Sequence, residues 1–154
     1  MSHSNNAKFQ EELIAQVNYF DQETSELLRK LYPDAGKRDE LQQLIDGYMD
    51  HIHSVLEGSM QGEPDSLAWI GSHVTVLDEI DGFEETYKIV LPQQIDADLG
   101  HISFMSPLGS KLLLARKGDR IEVDSPSGSY GMLISNVIFG LEASSSYFPD
   151  TGEA

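Results

Sequence analysis

The chain contains no cysteine among its 154 residues, which excludes a disulfide framework and a metal site built from thiolates. It also lacks an apolar run long enough to span a membrane, and the N-terminal sequence MSHSNNAKFQ lacks the apolar core of a signal peptide. These absences predict a cytoplasmic protein that does not associate with membranes.

Basic residues are scarce: 10 Lys and Arg stand against 26 Asp and Glu, and the formal net charge is −16. Because affinity for phosphate needs clustered Lys and Arg, this composition argues against independent DNA binding. The excess of acid either maintains solubility or favours the approach to a basic protein surface. With 40% hydrophobic residues the chain can still form a packed core, and we expect it to be a monomer.

Residues 1–60 show the pattern of two helices that pack along an apolar seam. Spacings of four and three residues alternate in the first helix at Leu13, Val17, Phe20, Thr24, Leu27 and Leu31. They alternate in the second at Leu41, Ile45, Tyr48, Ile52 and Val55. This alternation is typical of a coiled coil. Since Pro33 cannot continue a helix that starts near Lys8 and Gly36 loosens the turn, we predict an antiparallel hairpin with its tip near PDAGKRDE.

The remainder of the chain predicts an α+β domain over residues 69–142. Gly and Pro punctuate residues 61–68, which we interpret as a linker. The segments HVTVLDE, TYKIVL, HISFMS, RIEVDSP and GSYGMLISNVIFG predict strands, and PLGSKLLLA predicts one short helix, because Pro107 is tolerated in a first helical turn. We therefore expect a curved antiparallel sheet with one helix lying on it, followed by a flexible tail over residues 143–154.

One stretch is specific beyond its secondary structure. ISFMSPLGSKLLLARKGDRIEVDSPSG, residues 102–128, combines a strand, Ser-Pro-x-Gly, a Leu-rich helix, Gly-Asp, a second strand and a turn with glycine. This order resembles the C-terminal domain of the GreA/GreB transcript cleavage factors, and IGSHVTVLDE and TYKIVL match the same domain in order and spacing. The resemblance covers residues 69–141 and implies a coiled coil followed by an FKBP-like globular domain.

The resemblance implies a partner and an activity. Members of the family dock the globular domain on bacterial RNA polymerase near the mouth of the secondary channel, and the coiled coil enters that channel. Acidic residues at the tip help to hold a second Mg²⁺ at the polymerase active site, where water attacks a phosphodiester of backtracked RNA. The implied function is a factor that modulates transcription elongation.

The resemblance also assigns roles to residues. The tip acids that would support cleavage are Asp34, Asp39 and Glu40. Of these, Asp39 and Glu40 would share the Mg²⁺ of the polymerase, and the chain is expected to hold no cofactor or metal of its own. The residues expected to contact the polymerase, at the corner between the third strand and the helix, are Met105, Ser106, Pro107 and Leu108.

The sequence departs from the cleavage-competent members at two places. Their tip has the form Gly-Asp-Leu and then Glu-Asn-Ala-Glu-Tyr, whereas this tip is PDAGKRDE and the arms are shorter. The family position of Met105 is often polar or acidic, whereas here it is apolar. Shorter-armed relatives of the Rnk type bind polymerase without a clear cleavage function. A cleavage-supporting tip and a non-cleaving regulator therefore both stay open.

The tip residues also have structural explanations. Asp39 and Glu40 would stabilise the dipole of the second helix from its first turn, and Asp34 is an ordinary turn residue. Lys37 and Arg38 would oppose that dipole, so they are either solvated side chains or contacts to the RNA 3′ end or an acidic channel wall. At the corner, serine and proline are also the residues that any helix start favours.

Two functions of other classes stay open. An FKBP-like prolyl isomerase or chaperone would need aromatic residues to line an open pocket. We instead predict that the aromatic residues of the globular domain belong to its core: Trp69, Phe83, Tyr87, Phe104 and Phe139. A pure interaction module, whose hairpin pairs with another hairpin, is disfavoured by the many charges on the outer faces of both helices.

Overall fold

The computed structural model describes residues 2–31, 35–58 and 64–140. It separates the chain into two compact units, Met1–Glu63 and Pro64–Ala154. The first unit contains helices α1 (Ser2–Leu31) and α2 (Ala35–Leu56). The second contains strands β1 (Ser72–Asp78), β2 (Glu84–Val90), β3 (His101–Ser103), β4 (Arg120–Ser125) and β5 (Gly128–Phe139), together with helix α3 (Pro107–Leu112). The predicted tail, residues 143–154, lies outside the described residues.

The two helices of the first unit bury one face each. In α2 the five predicted seam positions are all buried: Leu41, Ile45, Tyr48, Ile52 and Val55. In α1 the buried side chains are Phe9, Leu13, Gln16 and Phe20, while Val17 is only half-buried. The Phe20 and Tyr48 rings meet edge to face with their centroids 6.2 Å apart. The alternating spacing therefore identified the buried face of α2. In α1 it identified Leu13 and Phe20 but missed Phe9 and Gln16.

The helix boundaries differ from the sequence expectation. Helix α1 begins at Ser2 rather than near Lys8, and α2 begins at Ala35, so Gly36 lies in the first turn of α2. The assignment of Gly36 to the connecting turn is wrong, because glycine within a helix costs only about 1 kcal/mol and the packed seam outweighs it. Pro33 lies outside the described residues.

The globular unit contains one five-stranded sheet in the order β3-β2-β1-β5-β4. The pairs β1–β2, β1–β5 and β4–β5 are antiparallel, whereas β2 and β3 are parallel. The predicted α+β class is confirmed, and the expectation of an antiparallel sheet fails at this one edge. The reason is the connection between β2 and β3, which passes through two 3-10 turns, Pro92–Gln94 and Ala97–Leu99, instead of a tight hairpin.

The core of the globular unit lies between the sheet and α3. Its fully buried side chains include Trp69, Val74, Ile89, Phe104, Leu112 and Ile134. Among the aromatic residues predicted for this core, Trp69 and Phe104 are buried, and Tyr87 and Phe139 are half-buried. The prediction is wrong for Phe83, which is 71% exposed. This ring belongs to the β1–β2 turn, where no other element of the unit covers it.

Candidate functional site

The described part of the hairpin tip is the start of α2. Its first turn, residues 35–38, contains no acidic side chain, and Lys37 is exposed while Arg38 is half-buried. Asp39 and Glu40 are the fifth and sixth residues of the helix and are exposed. The expectation that they belong to the first turn is wrong, because α2 begins before Gly36. The helix dipole, which acts within the first turn, therefore explains them less well than expected.

The carboxylates of Asp39 and Glu40 do not converge. The side chains of consecutive residues of an α-helix point about 100° apart. At a rise of 1.5 Å per residue, Asp39 lies about 6 Å along the helix axis from the start of α2. Among the described residues, no group of three or more His, Asp or Glu side chains could hold a metal ion. The third predicted acid, Asp34, lies outside those residues. Asp39 and Glu40 by themselves therefore do not form a metal site.

The corner between β3 and α3 is held by a network of short hydrogen bonds. Ser106 is the N-cap of α3: its Oγ accepts from the Gly109 N–H at 2.9 Å and donates to the Ser103 carbonyl oxygen at 2.8 Å. The Ser103 Oγ accepts from the Met105 N–H at 3.0 Å. Pro107 occupies the first turn of the helix. The structural roles expected for Ser106 and Pro107 are thus confirmed.

Gly109 completes this corner and was not singled out in the sequence. It is buried, and a Cβ atom at this position would clash with the backbone carbonyl of Ser103. Only glycine therefore lets α3 pack this closely against the end of β3. The motif Ser-Pro-x-Gly contains this glycine three residues after the cap, but the resemblance assigned it no role of its own.

The corner presents an apolar surface. Pro107 is exposed, and Met105 and Leu108 are half-buried. None of these side chains can transfer a proton, act as a nucleophile or ligate a hard metal ion. The arrangement is chemically suited to packing against another molecule, and its rigid backbone lowers the entropy that such a contact would cost.

A shallow concavity lies at the end of the sheet that carries the β1–β2 turn. Its volume is about 400 Å³, and its lining combines the rings of Phe83 and Tyr87 with the carboxylates of Asp78, Glu84 and Glu85. Burial, and then the hydrogen bond that Tyr87 Oη donates to Glu85, raise the pKa of Tyr87 to about 12. An FKBP-like isomerase would need an apolar aromatic pocket, and this concavity is acidic.

Three basic side chains are neighbours across β1, β2 and β3. His73 pairs with Lys88, and Lys88 pairs with His101. Burial, and then the charges of Lys88 and His101, lower the pKa of His73 to about 4. Burial and Lys88 also lower the pKa of His101. Both imidazoles are therefore neutral at pH 7.

Comparison with known proteins finds one matching family model. Residues 63–139 match "Transcription elongation factor, GreA/GreB, C-term". The GreA protein of Acidiphilium cryptum is 31% identical over 105 residues, which cover 66% of this chain and 67% of that protein. The GreA protein of Cereibacter sphaeroides is 33% identical over 103 residues, covering 65% of this chain and 68% of that protein.

The similarity of this chain to solved structures is low, with TM-scores of 0.45 or less. A GreA/GreB elongation factor from Nitrosomonas europaea has a TM-score of 0.45 at 23% identity, with 66% of this chain and 93% of that chain covered. The GreA factor homologue Gfh1 of Thermus thermophilus has a TM-score of 0.43 at 23% identity, with 86% of this chain and 93% of that chain covered.

In the described ranges, no helix is long and apolar enough to cross a membrane.

Proposed function

Because the chain belongs to the GreA/GreB family of transcription elongation factors, we propose that it binds bacterial RNA polymerase and modulates transcription elongation. The observation that carries the proposal is the family match over residues 63–139, which includes the whole sheet and α3. In the proposal, the globular unit docks outside the polymerase and the helical hairpin enters the secondary channel.

The proposed docking surface is the corner formed by Met105, Pro107 and Leu108. Three features support it: the side chains are apolar, they are partly exposed, and the hydrogen bonds of Ser106 hold the backbone beneath them in one conformation. A preorganised apolar patch of this kind binds a partner mainly by excluding water.

For the hairpin we propose a regulatory tip that does not stimulate RNA cleavage. The first turn of α2 carries Lys37 and Arg38, which would contact the RNA 3′ end or an acidic channel wall. Asp39 and Glu40 follow directly after this turn, and their side chains diverge, so they are poorly placed to hold one Mg²⁺ together. The competing version, in which they support cleavage, is favoured only by their exposure near this end of the hairpin.

The test adds the purified chain to a halted, backtracked polymerase complex with Mg²⁺ and follows the RNA 3′ end on a gel. We expect a complex, intact RNA and an altered elongation rate when nucleotides are added. Shortened RNA that is lost in the double variant Asp39→Asn/Glu40→Gln would establish the cleaving version instead. If no complex forms and the rate is unchanged, the proposed function is wrong.

The docking surface is tested by Pro107→Glu, which puts a charge on the exposed corner at a helix position where glutamate is well tolerated. We expect a loss of about tenfold or more in polymerase affinity, which corresponds to about 1.4 kcal/mol. Lys111→Gln, on an exposed position of the same helix, changes the net charge by the same amount and should bind within about twofold of the unmodified chain. Equal loss in both variants would contradict docking through this corner.

A further inference from the structure

The β1–β2 turn holds two large apolar side chains in solvent. Ile80 is 80% exposed and Phe83 is 71% exposed. The turn has a defined conformation, because Asp78 Oδ1 accepts from the Ile80 N–H at 2.8 Å and Asp81 Oδ1 accepts from the Phe83 N–H at 3.0 Å. Large apolar groups displayed on a backbone that is fixed in this way are typical of an interaction surface.

Phe83 borders the concavity of about 400 Å³ described above. We call this concavity the acidic basin and define it by Phe83, Glu84, Glu85, Tyr87, Tyr130 and Met132. Register places Glu85 and Met132 on one side of the sheet, since Val76 lies opposite Glu85 and Asp78 lies opposite Met132. Glu84 lies opposite Leu77 and so borders the basin from the edge of the other side. Its volume is enough for one or two long side chains of a partner and is at the small end for a whole ligand.

The charge of the basin has one sign. Asp78 and Asp81 also line it, and its lining contains no Lys or Arg. Tyr87 Oη donates to Glu85 and, with its pKa raised to about 12, stays protonated at physiological pH. Within the described part of the chain, the Glu84 carboxylate forms no hydrogen bond or ion pair. The basin therefore attracts cations and repels the phosphates of RNA.

We propose that the acidic basin binds an arginine-bearing segment of a partner protein, with the guanidinium at Glu85, its stem against Phe83 and Tyr130, and Glu84 adding negative charge at the edge. Arginine fits this chemistry better than lysine because its planar head pairs with carboxylates through two hydrogen bonds and also stacks on aromatic rings. A metal ion is a poorer occupant, since the described residues form no metal-binding cluster.

The chain's own C-terminal segment is a poor occupant of the basin. Residues 141–154 contain Glu142, Asp150 and Glu153 and no Lys or Arg, so their charge has the same sign as that of the basin. A positively charged segment of a partner protein would instead complement the charge of the basin. The proposal involves residues other than the β3–α3 corner and does not depend on polymerase binding.

The experiment titrates the ¹⁵N-labelled full chain with the capped peptide Gly-Arg-Leu-Arg-Gly and follows amide chemical shifts. We expect the largest shifts in residues 80–87 and 129–132. The same peptide with citrulline, the neutral isostere of arginine, should bind at least about tenfold more weakly, because the paired charge is lost. A lysine peptide should fall between the two. Equal binding of the citrulline peptide would overturn the proposal.

Matched variants separate the basin from the overall acidity of the chain. Glu84→Gln/Glu85→Gln should weaken the peptide at least about fivefold, whereas Glu11→Gln/Glu12→Gln, an identical change of charge on exposed residues of α1, should leave it within about twofold. Phe83→Ser should weaken binding without a loss of charge. If the α1 variant loses as much as the basin variant, attraction is nonspecific and the proposal fails.

Two further outcomes would assign the basin to another occupant. Shifts of the basin residues on addition of a uridine pentanucleotide would mean that it binds RNA. Shifts of the same residues on concentration of the chain alone, together with shifts at Lys37 and Arg38, would mean that a second copy occupies it. Because the experiment contains no polymerase, its failure would leave the proposed function untouched.

Discussion

Among the described side chains of α1, Gln16 is the only polar one that is buried, with 5% of its surface exposed. Tyr48 of α2 donates its hydroxyl to Gln16 Oε1 at 2.5 Å. A buried amide needs such a partner, because an unmatched polar group costs about 1–3 kcal/mol. The pair therefore specifies how α1 and α2 align within an otherwise apolar face, a use of buried polar groups that is known from coiled coils.

Tyr48→Phe should destabilise the first unit by about 1–3 kcal/mol, because it removes the hydroxyl donor and keeps the ring that packs on Phe20. The second change Gln16→Met, added to Tyr48→Phe, should restore at least half of the loss by making the contact apolar. Thermal unfolding followed by far-UV circular dichroism measures both. A double variant as unstable as the single one would show that the hydrogen bond is not the cause.

His73 is the residue that should give the globular unit a pH dependence. Its pKa is about 4 in the folded chain because of burial and of Lys88 and His101, against about 6.5 when unfolded. Between these values the unfolded chain binds a proton that the folded chain does not. The contribution of His73 to the stability of the globular unit is therefore fully present above about pH 6.5. It is lost as the pH falls towards about 4.

Urea unfolding at about pH 7 and about pH 4.5 tests this dependence. Trp69 is the only tryptophan and is fully buried in the globular unit, so its fluorescence reports that unit. His73→Gln should reduce the difference in unfolding free energy between the two pH values by about 1–2 kcal/mol. This is less than the full pKa shift implies, because the ring is partly screened by water. His53→Gln, an exposed position of α2, is the control and should leave the loss unchanged.

At the scale of elements, α3 shows how a short helix is positioned. With six residues, Pro107–Leu112, it is too short to be stable alone. The cap at Ser106 and the close approach of Gly109 to β3 fix its start. Its buried Leu112 then joins the core beside the sheet. The corner proposed for docking is therefore rigid because the helix behind it is anchored at both ends.

Ser106→Ala should cost about 1 kcal/mol through loss of the N-cap, and Gly109→Ala should cost more, because the backbone of β3 has to move. Lys111→Ala, an exposed change in the same helix, should be nearly neutral. Urea unfolding followed by Trp69 fluorescence ranks the three variants. Equal stability of Gly109→Ala and the unmodified chain would show that the close approach is not needed.

At the scale of the whole molecule, each unit has its own buried core. That of the first includes Leu13, Phe20, Ile45 and Ile52, and that of the second surrounds Trp69 and Phe104. A unit that buries its own apolar surface has the main driving force for folding within itself. This separation lets the hairpin vary in length and tip sequence without a change in the sheet.

A chain shortened to residues 64–154 should therefore fold. Its free energy of unfolding, measured by Trp69 fluorescence in urea, should lie within about 0.5 kcal/mol of the value for the same unit in the full chain. The full-length chain in the same buffer is the reference. A loss of more than about 2 kcal/mol would mean that the hairpin supplies part of the stability of the globular unit.

The sequence by itself determined the elements and the family. The alternating spacing identified the buried face of α2, alternating strands and a Ser-Pro start identified the sheet segments and α3, and the stretch 102–128 pointed to the family that the comparisons establish. These features follow from side-chain periodicity, helix caps and turn residues, which depend on neighbours in the chain. They can therefore be predicted without a structure.

Only the tertiary structure decided the rest. Four features contradict or extend the sequence prediction: the parallel pairing of β3, the burial of Gln16, the exposure of Phe83 and the start of α2 before Gly36. The acidic basin joins residues 76–87 to residues 130–132, which are far apart in the chain. Such features depend on which surfaces meet after the chain has folded. The free energy of that packing outweighs local propensity, and the spacing of residues along the sequence does not reveal it.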